Sequence, residues 1–141
     1  MEIWKAFEKN LITHSSAHHL MTIYDLLNTN GYARVSDVAR SLEITRGSAS
    51  ITLKALKEKG LVKGDKNKFL RLSEEGERIS QSIQSTRMIF TKFLKDVLKV
   101  DVKQAEIDAC KIEHLLSEET GKKLLSFMKY LSCDDSKVNV F

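Results

Sequence analysis

The chain has 141 residues, a net charge of +4 and no proline. This length fits one domain, or a small domain with a helical extension. A content of 42% hydrophobic and 30% charged residues is typical of a globular chain and not of a disordered one, and the absence of proline excludes a collagen-like protein. No apolar run approaches the roughly 18 residues of a membrane span, and the chain start lacks a signal-peptide core. We therefore expect a cytoplasmic protein that does not bind membranes.

The positive charge is concentrated in one segment. Residues 31–72 contain ten Lys/Arg and four Asp/Glu, a local charge of +6, whereas the rest of the chain sums to −2. A basic block of this kind is typical of a surface that binds a polyanion. A solvated lysine-rich surface is the alternative, because a charge count alone does not separate the two.

The first predicted elements are two helices. Ser15 or Ser16 can cap a helix that ends at Gly31. Ser36 can then cap a short helix over residues 37–42. The absence of proline leaves both helices uninterrupted.

A third helix and a hairpin follow directly. Thr45 is a good N-cap for a helix over 46–59, with Gly60 just past its end. Two short helices joined by a tight turn form the helix-turn-helix pattern. Residues 61–63 and 69–72 read as two short strands around a lysine-rich Gly/Asn turn. A hairpin at this place is a wing, so the sequence predicts a winged helix-turn-helix.

The remaining chain is predicted to be helical, which makes the fold mainly α. Three helices are expected over residues 73–98, 102–116 and 118–131, with Ser73, Asp101 and Ser117 before them. The first is long enough to protrude from a small domain. We expect a DNA-binding domain over 1–72, which includes the N-terminal helix, and a helical domain over 73–141.

The 46–59 helix has the pattern of a recognition helix. Ala49, Leu53 and Leu56 form its buried stripe, which directs the isolated apolar residue Ile51 outward. Small polar and methyl-bearing side chains near a helix start can contact base edges. The alternative is that Ile51 contacts another part of the protein and the serines are solvated. The candidate DNA-binding residues, including two wing lysines, are Arg46, Gly47, Ser48, Ser50, Ile51, Lys54, Lys66 and Lys68.

The second half carries four metal-ligand side chains at helical spacing. They are Glu106, Cys110, Glu113 and His114. A carboxylate, a thiolate and an imidazole on one helical face have the chemistry of a transition-metal site. The alternative is a surface glutamate, a small core cysteine and a satisfied histidine. An enzyme with Cys110 as nucleophile and His114 as base is disfavoured, because nothing orients the histidine and no oxyanion hole is evident.

One helix leaves the coordination incomplete, so a second element has to supply a ligand. Three of the four histidines, His14, His18 and His19, cluster at the start of the first helix. His14 and His18 are one turn apart, and Met21 follows. We expect no catalytic site.

At this point the chain resembles a known family, the metal-dependent repressors of the diphtheria-toxin-repressor and manganese-transport-regulator type. The resemblance runs from about residue 15 to 131 and is carried by three segments. They are LMTIYDLLNTNGYARVSDVARSLEITRGSASITLKALKEKGLV, LSEEGERI and DACKIEHLLSEE. The last is the most specific, because the family places its primary metal ligands in such a segment.

The resemblance implies a ligand set and an assembly. Cys110, Glu113 and His114 become primary-site ligands, and His18 takes the place of a ligating methionine or aspartate. Met21 falls where manganese-type members carry a glutamate. The long helix and the two that follow would form the dimer interface, and the metal-bound homodimer would bind a palindromic DNA operator.

The sequence departs from the family at its ancillary site. Arg87 and Thr91 stand where the family has a histidine and a glutamate. Since arginine cannot ligate a cation and would repel one, we expect a single metal, with Arg87 paired to a carboxylate such as Glu106. We also expect a short form without the SH3-like third domain of longer members. The extension with Ile3, Trp4, Phe7, Leu11 and Ile12 is expected to add dimer packing.

The expected function is a metal-responsive transcriptional repressor of metal-homeostasis genes. A cysteine, glutamate and histidine set is softer than sites that suit manganese, which favours Fe(II); Mn(II), Zn(II), Co(II) and Ni(II) are the alternatives. The metal would link the first helix to the 102–116 helix. This would fix the spacing of the two winged helices of the dimer, so that both reach successive major grooves. Two rivals are a winged-helix regulator without metal control, redox-sensing or constitutive, and a dimeric adaptor that does not bind DNA.

Overall fold

The computed structural model describes Ile3 and residues 12–133. The chain forms two compact units, one ending at Gln81 and the other beginning at Ser82. The division therefore falls inside a helix and not in a loop. Within the described part of the chain, no helix combines the length and apolar character needed to cross a bilayer.

The first unit is built on three helices: α1 (His14–Asn30), α2 (Val35–Leu42) and α3 (Arg46–Glu58). Their apolar stripes meet in one core, which removes those side chains from water and stabilises the unit. Fully buried members of this core are Leu20, Ile23, Val38, Leu53 and Leu56. The predicted helix-turn-helix is confirmed.

The helix starts are set by capping side chains, and two of the predicted caps are wrong. Thr13, not Ser15 or Ser16, caps α1 by accepting a hydrogen bond from the Ser16 backbone N–H at 3.1 Å. The N-cap of α2 is Arg34, whose backbone N–H donates to the Asp37 carboxylate at 3.0 Å. Each helix thus begins one or more residues earlier than predicted.

Two other predicted signals, the cap at Thr45 and the stop at Gly31, are confirmed. Thr45 caps α3 by accepting from the Ser48 backbone N–H, and Ser36 lies inside α2 as a consequence of the earlier cap. Gly31 ends α1 at a φ of 81°, a left-handed conformation that favours glycine. The three predicted helices of this unit therefore exist, with small shifts in where they start.

The wing is present as an antiparallel hairpin of β1 (Val62–Gly64) and β2 (Leu70–Leu72). Lys63 is paired with Arg71 in its register. The backbone N–H of Leu70 also donates to the carbonyl of Ala33 at 2.8 Å, which fastens β2 to the segment before α2. The predicted winged helix-turn-helix is thereby confirmed.

The second half is helical, as predicted, but two helices differ in extent. α4 (Glu74–Lys92) stops short of residue 98 and passes into a π-helical turn, Phe93–Val97. The Leu98 N–H donates to the Phe93 carbonyl, a five-residue spacing, and the segment carries no proline or glycine that could signal this change.

α5 (Val102–Ile112) also ends earlier than predicted, and α6 (Glu118–Ser132) follows. After Ile112 the chain tightens, since the N–H groups of Leu115 and Leu116 both reach the Ile112 carbonyl. Asp101 occupies the N-cap of α5 without a capping hydrogen bond from its side chain, whereas Ser117 caps α6 as predicted.

The expected packing role of the N-terminal extension falls mostly outside the described residues. Trp4, Phe7 and Leu11 are not described. Of the others, Ile12 is buried and Ile3 is exposed. The role of the extension stays a prediction.

The start of α4 packs through a glycine against Leu61, the residue just before the wing. A Cβ added at Gly76 would lie 2.1 Å from the backbone oxygen of Leu61. That same oxygen accepts a hydrogen bond from the Ser73 backbone N–H at 3.0 Å. The close approach therefore joins two backbone segments, and neither can move aside as a flexible side chain would.

We predict that Gly76→Ala destabilises the protein by about 1–3 kcal/mol, because the methyl group overpacks against a backbone oxygen. Alanine would otherwise stabilise a helix by up to about 1 kcal/mol relative to glycine. The matched control is Gly121→Ala in α6, where the nearest atom is the Thr86 hydroxyl oxygen at 3.3 Å. Urea unfolding should show a loss of stability only for Gly76→Ala; equal stabilities of the two variants would contradict this packing.

Candidate nucleic-acid interface and metal centre

The outward face of α3 carries the residues that the sequence predicts to contact DNA. Ala49, Leu53 and Leu56 are buried, whereas Ile51 is 75% exposed. The other residues proposed for this helix, all exposed, are Arg46, Gly47, Ser48, Ser50 and Lys54. The alternative that Ile51 packs against another described part of the protein is therefore not what the structure has.

The first turn of α3 is held rigidly by its cap. The hydroxyl of Thr45 donates to the Ser48 hydroxyl oxygen at 3.0 Å and also accepts from the Ser48 backbone N–H. Ser48 keeps its own hydroxyl hydrogen for another acceptor. Gly47 has open space beside its Cα, with no atom nearer to an added Cβ than 4.0 Å.

The wing turn is organised by one carboxylate. Asp65 accepts hydrogen bonds from the backbone N–H groups of Asn67 at 2.8 Å and Phe69 at 2.9 Å. Lys66 and Lys68 are both exposed on this turn, and Lys68 has a φ of 64°. The turn thus presents two ammonium groups on a fixed backbone.

An aromatic anchor holds the base of the wing. The ring of Phe69 lies edge-on to Tyr32, with ring centroids 6.0 Å apart, and the Arg34 guanidinium lies 4.4 Å from its centroid. These contacts connect the end of the wing turn to the segment between α1 and α2.

The histidines of α1 divide between two faces. The rings of His14 and His18 meet edge to face, with centroids 4.4 Å apart. His19 is buried, and its Nδ1 donates to the Ser15 carbonyl oxygen at 2.7 Å, so it is a core histidine. Met21 is also buried. The first unit therefore offers two neighbouring imidazoles, of which only His18 was among the predicted ligands.

In the second unit, a buried carboxylate is held by an arginine. Nε of Arg87 donates to Oε2 of Glu113, and Nη2 donates to Oε1 at 2.7 Å. The Glu113 side chain is fully buried, whereas that of Arg87 is 35% exposed. Arg87 is thus paired with a carboxylate as expected, but its partner is Glu113 and not the suggested Glu106, which lies exposed on α5.

Cys110 belongs to the same cluster. Burial raises the pKa of its thiol, and the negative charge of Glu113 raises it further. Arg87 opposes both effects through its positive charge and a hydrogen bond to the thiol. Cys110, Glu113 and Arg87 are therefore mutual neighbours at the end of α5.

His114 lies just beyond these groups, in the turn after α5, and is half-buried. The prediction that one continuous helix carries Glu106, Cys110, Glu113 and His114 is wrong, because α5 ends at Ile112. Cys110 and His114 still offer one sulfur and one imidazole donor near the same helix end. The partner of Arg87 could not be located from the sequence, since a pair 26 residues apart has no periodic signal.

Two family models match the chain. Residues 12–70 match the iron dependent repressor N-terminal DNA binding domain, and residues 73–137 match the iron dependent repressor metal binding and dimerisation domain. Together they cover most of the sequence and meet at the end of the wing.

Individual relatives agree with these models. The HTH-type transcriptional regulator MntR of Lysinibacillus sphaericus is 31% identical over 105 residues, which cover 74% of this chain and 75% of that protein. The diphtheria toxin repressor of Corynebacterium diphtheriae is 24% identical over 114 residues, 81% of this chain and 50% of that protein.

A solved structure shows the same fold. The manganese regulator SloR superposes with a TM-score of 0.73 at 22% identity, over 84% of this chain and 55% of that one. This chain thus spans about half the length of SloR and of the diphtheria toxin repressor. With both family models and the MntR relative, the chain belongs to the iron dependent repressor family of metal-dependent, DNA-binding transcriptional regulators.

Proposed function

We propose that this chain is a repressor of metal-homeostasis genes that binds a palindromic DNA operator as a homodimer when Fe(II) is bound. One observation carries the DNA-binding part: α3 buries Ala49, Leu53 and Leu56 while leaving Ile51 exposed. An apolar side chain exposed among small polar residues near the start of a recognition helix can contact the thymine methyl group in the major groove.

The neighbours of Ile51 suit the same groove. Gly47 allows the backbone to come close to DNA, and Ser48 and Ser50 can pair with base edges. Arg46 and Lys54 provide cations for phosphate or guanine. These roles remain proposals for each residue, supported by the exposure of all five positions.

The wing would supply affinity that does not depend on base sequence. Lys66 and Lys68 are exposed on a turn whose backbone is fixed by Asp65. Lysine pairs with phosphate as a point charge and releases counterions from the DNA. The local charge of +6 over residues 31–72 supports this role.

The family binds divalent metals, and we infer that His18, Cys110 and His114 are the ligands in this chain. His14 touches His18 and is a further imidazole candidate. Met21 and Glu106 were also candidates; the first is buried and the second exposed. Sulfur and imidazole donors fit Fe(II), and also Zn(II), Co(II) and Ni(II), better than Mn(II).

A metal bound by these residues would act as a crosslink rather than as a catalyst. An ion bound to ligands on α1, on α5 and in the turn after α5 would link these elements, so metal affinity would be converted into operator affinity. A dimer of such chains presents two copies of α3, which matches an operator with two symmetric half-sites.

A redox-sensing regulator is the main rival, and the cysteine chemistry disfavours it. A reactive sensor thiol needs a lowered pKa, but burial and Glu113 raise the pKa of Cys110. The adaptor rival has to explain the basic segment and the exposed face of α3 without DNA. Both arguments support metal-controlled DNA binding.

We predict that Lys66→Ala with Lys68→Ala weakens binding to cognate and random duplexes alike. The slope of log affinity against log salt should fall by about one for each phosphate that the wing no longer neutralises. The charge-matched control is Lys122→Ala with Lys123→Ala on α6, which should change the slope less. Fluorescence anisotropy over a salt series measures both, using an operator selected from random oligonucleotides. An unchanged slope in the wing variant would contradict the role of the wing.

We predict that His18→Ala and Cys110→Ala each abolish metal-stimulated operator binding while leaving the dimer intact. Each removes a ligand, and loss of a ligand removes the metal crosslink. Cys133→Ser, at an exposed cysteine, is the matched control and should respond to metal normally. Gel shift with Fe(II) or with chelator, together with sedimentation, measures this. Equal operator affinity of the unmodified protein under both conditions would defeat the metal-sensor proposal.

We predict that the Cys110 thiol of the metal-free protein is alkylated more slowly than glutathione at pH 7.5. Its raised pKa leaves less thiolate at that pH, and the rate should still be rising above the range of an ordinary thiol, about 8.5. A Cys133→Ser protein isolates the reaction, which iodoacetamide labelling and mass spectrometry follow. Faster reaction than glutathione would favour the redox rival.

A further inference from the structure

The pair formed by Arg87 and Glu113 decides which atoms of the second unit can bind a metal. Both carboxylate oxygens of Glu113 accept hydrogen bonds from the guanidinium, one of them at 2.7 Å. The planar guanidinium matches a carboxylate with two parallel bonds, a stronger arrangement than a single contact. The carboxylate is fully buried, so its ionised form needs a paired positive charge.

A metal ion would have to compete with that arginine for Glu113. To bind the carboxylate, the ion would either displace an N–H donor or use only the outer lone pairs of the two oxygens. In both cases it would lie as a second cation beside the guanidinium, which cannot lose its proton. The metal ion and the guanidinium are both positive and would repel each other. Because Arg87 is only 35% exposed, water would screen this repulsion weakly. The competition favours the existing pair.

The same arginine also borders the sulfur ligand. Arg87 makes a hydrogen bond to Cys110, which places its charge beside both the thiol and the carboxylate. Of the three metal donors in the segment, Cys110 and His114 can coordinate an ion, whereas Glu113 is hydrogen-bonded to Arg87. The site thus lacks the carboxylate oxygen, the hardest of the three donors.

We propose that Glu113 is the counter-ion of Arg87 and not a metal ligand, and that Arg87 thereby sets the metal preference of the site. By withholding the carboxylate, it leaves a sulfur and imidazole donor set that selects Co(II), Zn(II) and Fe(II) against Mn(II). This inference rests on the proposed metal site at Cys110 and His114, and it assigns Arg87 as the residue that determines specificity there.

The test begins with a charge-neutral exchange in the full-length protein. Arg87→Met combined with Glu113→Gln removes both members of the pair without leaving either charge buried alone. Titration calorimetry with Co(II), and the thiolate-to-cobalt absorption band, report affinity and sulfur coordination. We expect the band to persist and Co(II) affinity to fall by no more than about a hundredfold, the upper end for residues outside the coordination sphere, whereas loss of a true ligand would lower affinity further.

The second variant is Arg87→Met alone, with Arg87→Lys as the matched control that keeps the charge. Freeing Glu113 should shift the ratio of Mn(II) to Co(II) affinity towards Mn(II) by about tenfold, because a carboxylate joins the donor set. Arg87→Lys should keep the ratio of the unmodified protein. If Arg87→Met does not fold, by circular dichroism, the double variant decides alone.

Different results would overturn the inference and the function on which it rests. Absence of Co(II) binding in the unmodified protein would overturn the proposed metal site itself. Co(II) binding by that protein, but a loss of affinity of more than about a hundredfold in the double variant, would overturn only the assignment of Glu113 as counter-ion. An unchanged Mn(II) to Co(II) ratio in folded Arg87→Met would overturn the role of Arg87 in metal preference.

Discussion

A carboxylate buried as completely as that of Glu113 has to be neutralised, and in this chain a guanidinium neutralises it. The two bonds from Arg87 join α4 to the turn after α5 and settle the environment of Cys110. Glu113 raises the pKa of the thiol and Arg87 lowers it, so the pair acts on the sulfur with opposing charges. The chemistry of this end of the second unit therefore follows from a single ion pair.

Much of the fold could be predicted because its signals are local. Thr45, Ser117 and Gly31 act within one helix turn, and their sequence types suffice to identify them. The apolar spacing of α3 likewise separates its buried face from Ile51. The prediction of a helix start was wrong where several neighbouring residues could serve as the N-cap. At the start of α1, a threonine and two serines can all cap the helix.

The site was predicted less completely, for a physical reason. Helical spacing predicts Cys110 and His114 as metal ligands, which stays a prediction. It could not show that α5 ends at Ile112 or that Arg87 pairs with Glu113. Both depend on contacts between elements distant in sequence. The π-helical turn after α4 has the same character, since Phe93–Val97 contains ordinary helix-forming residues.

The wing turn adds one more consequence. Lys68 holds a left-handed backbone conformation, with a φ of 64°, where a side chain with a Cβ costs about 1–2 kcal/mol and glycine costs almost nothing. The hairpin would thus be more stable with a glycine there, yet it would lose an ammonium group. Thermal stability and electrostatic attraction make opposite demands on this position, so a variant selected only for heat resistance would be drawn towards a less basic wing.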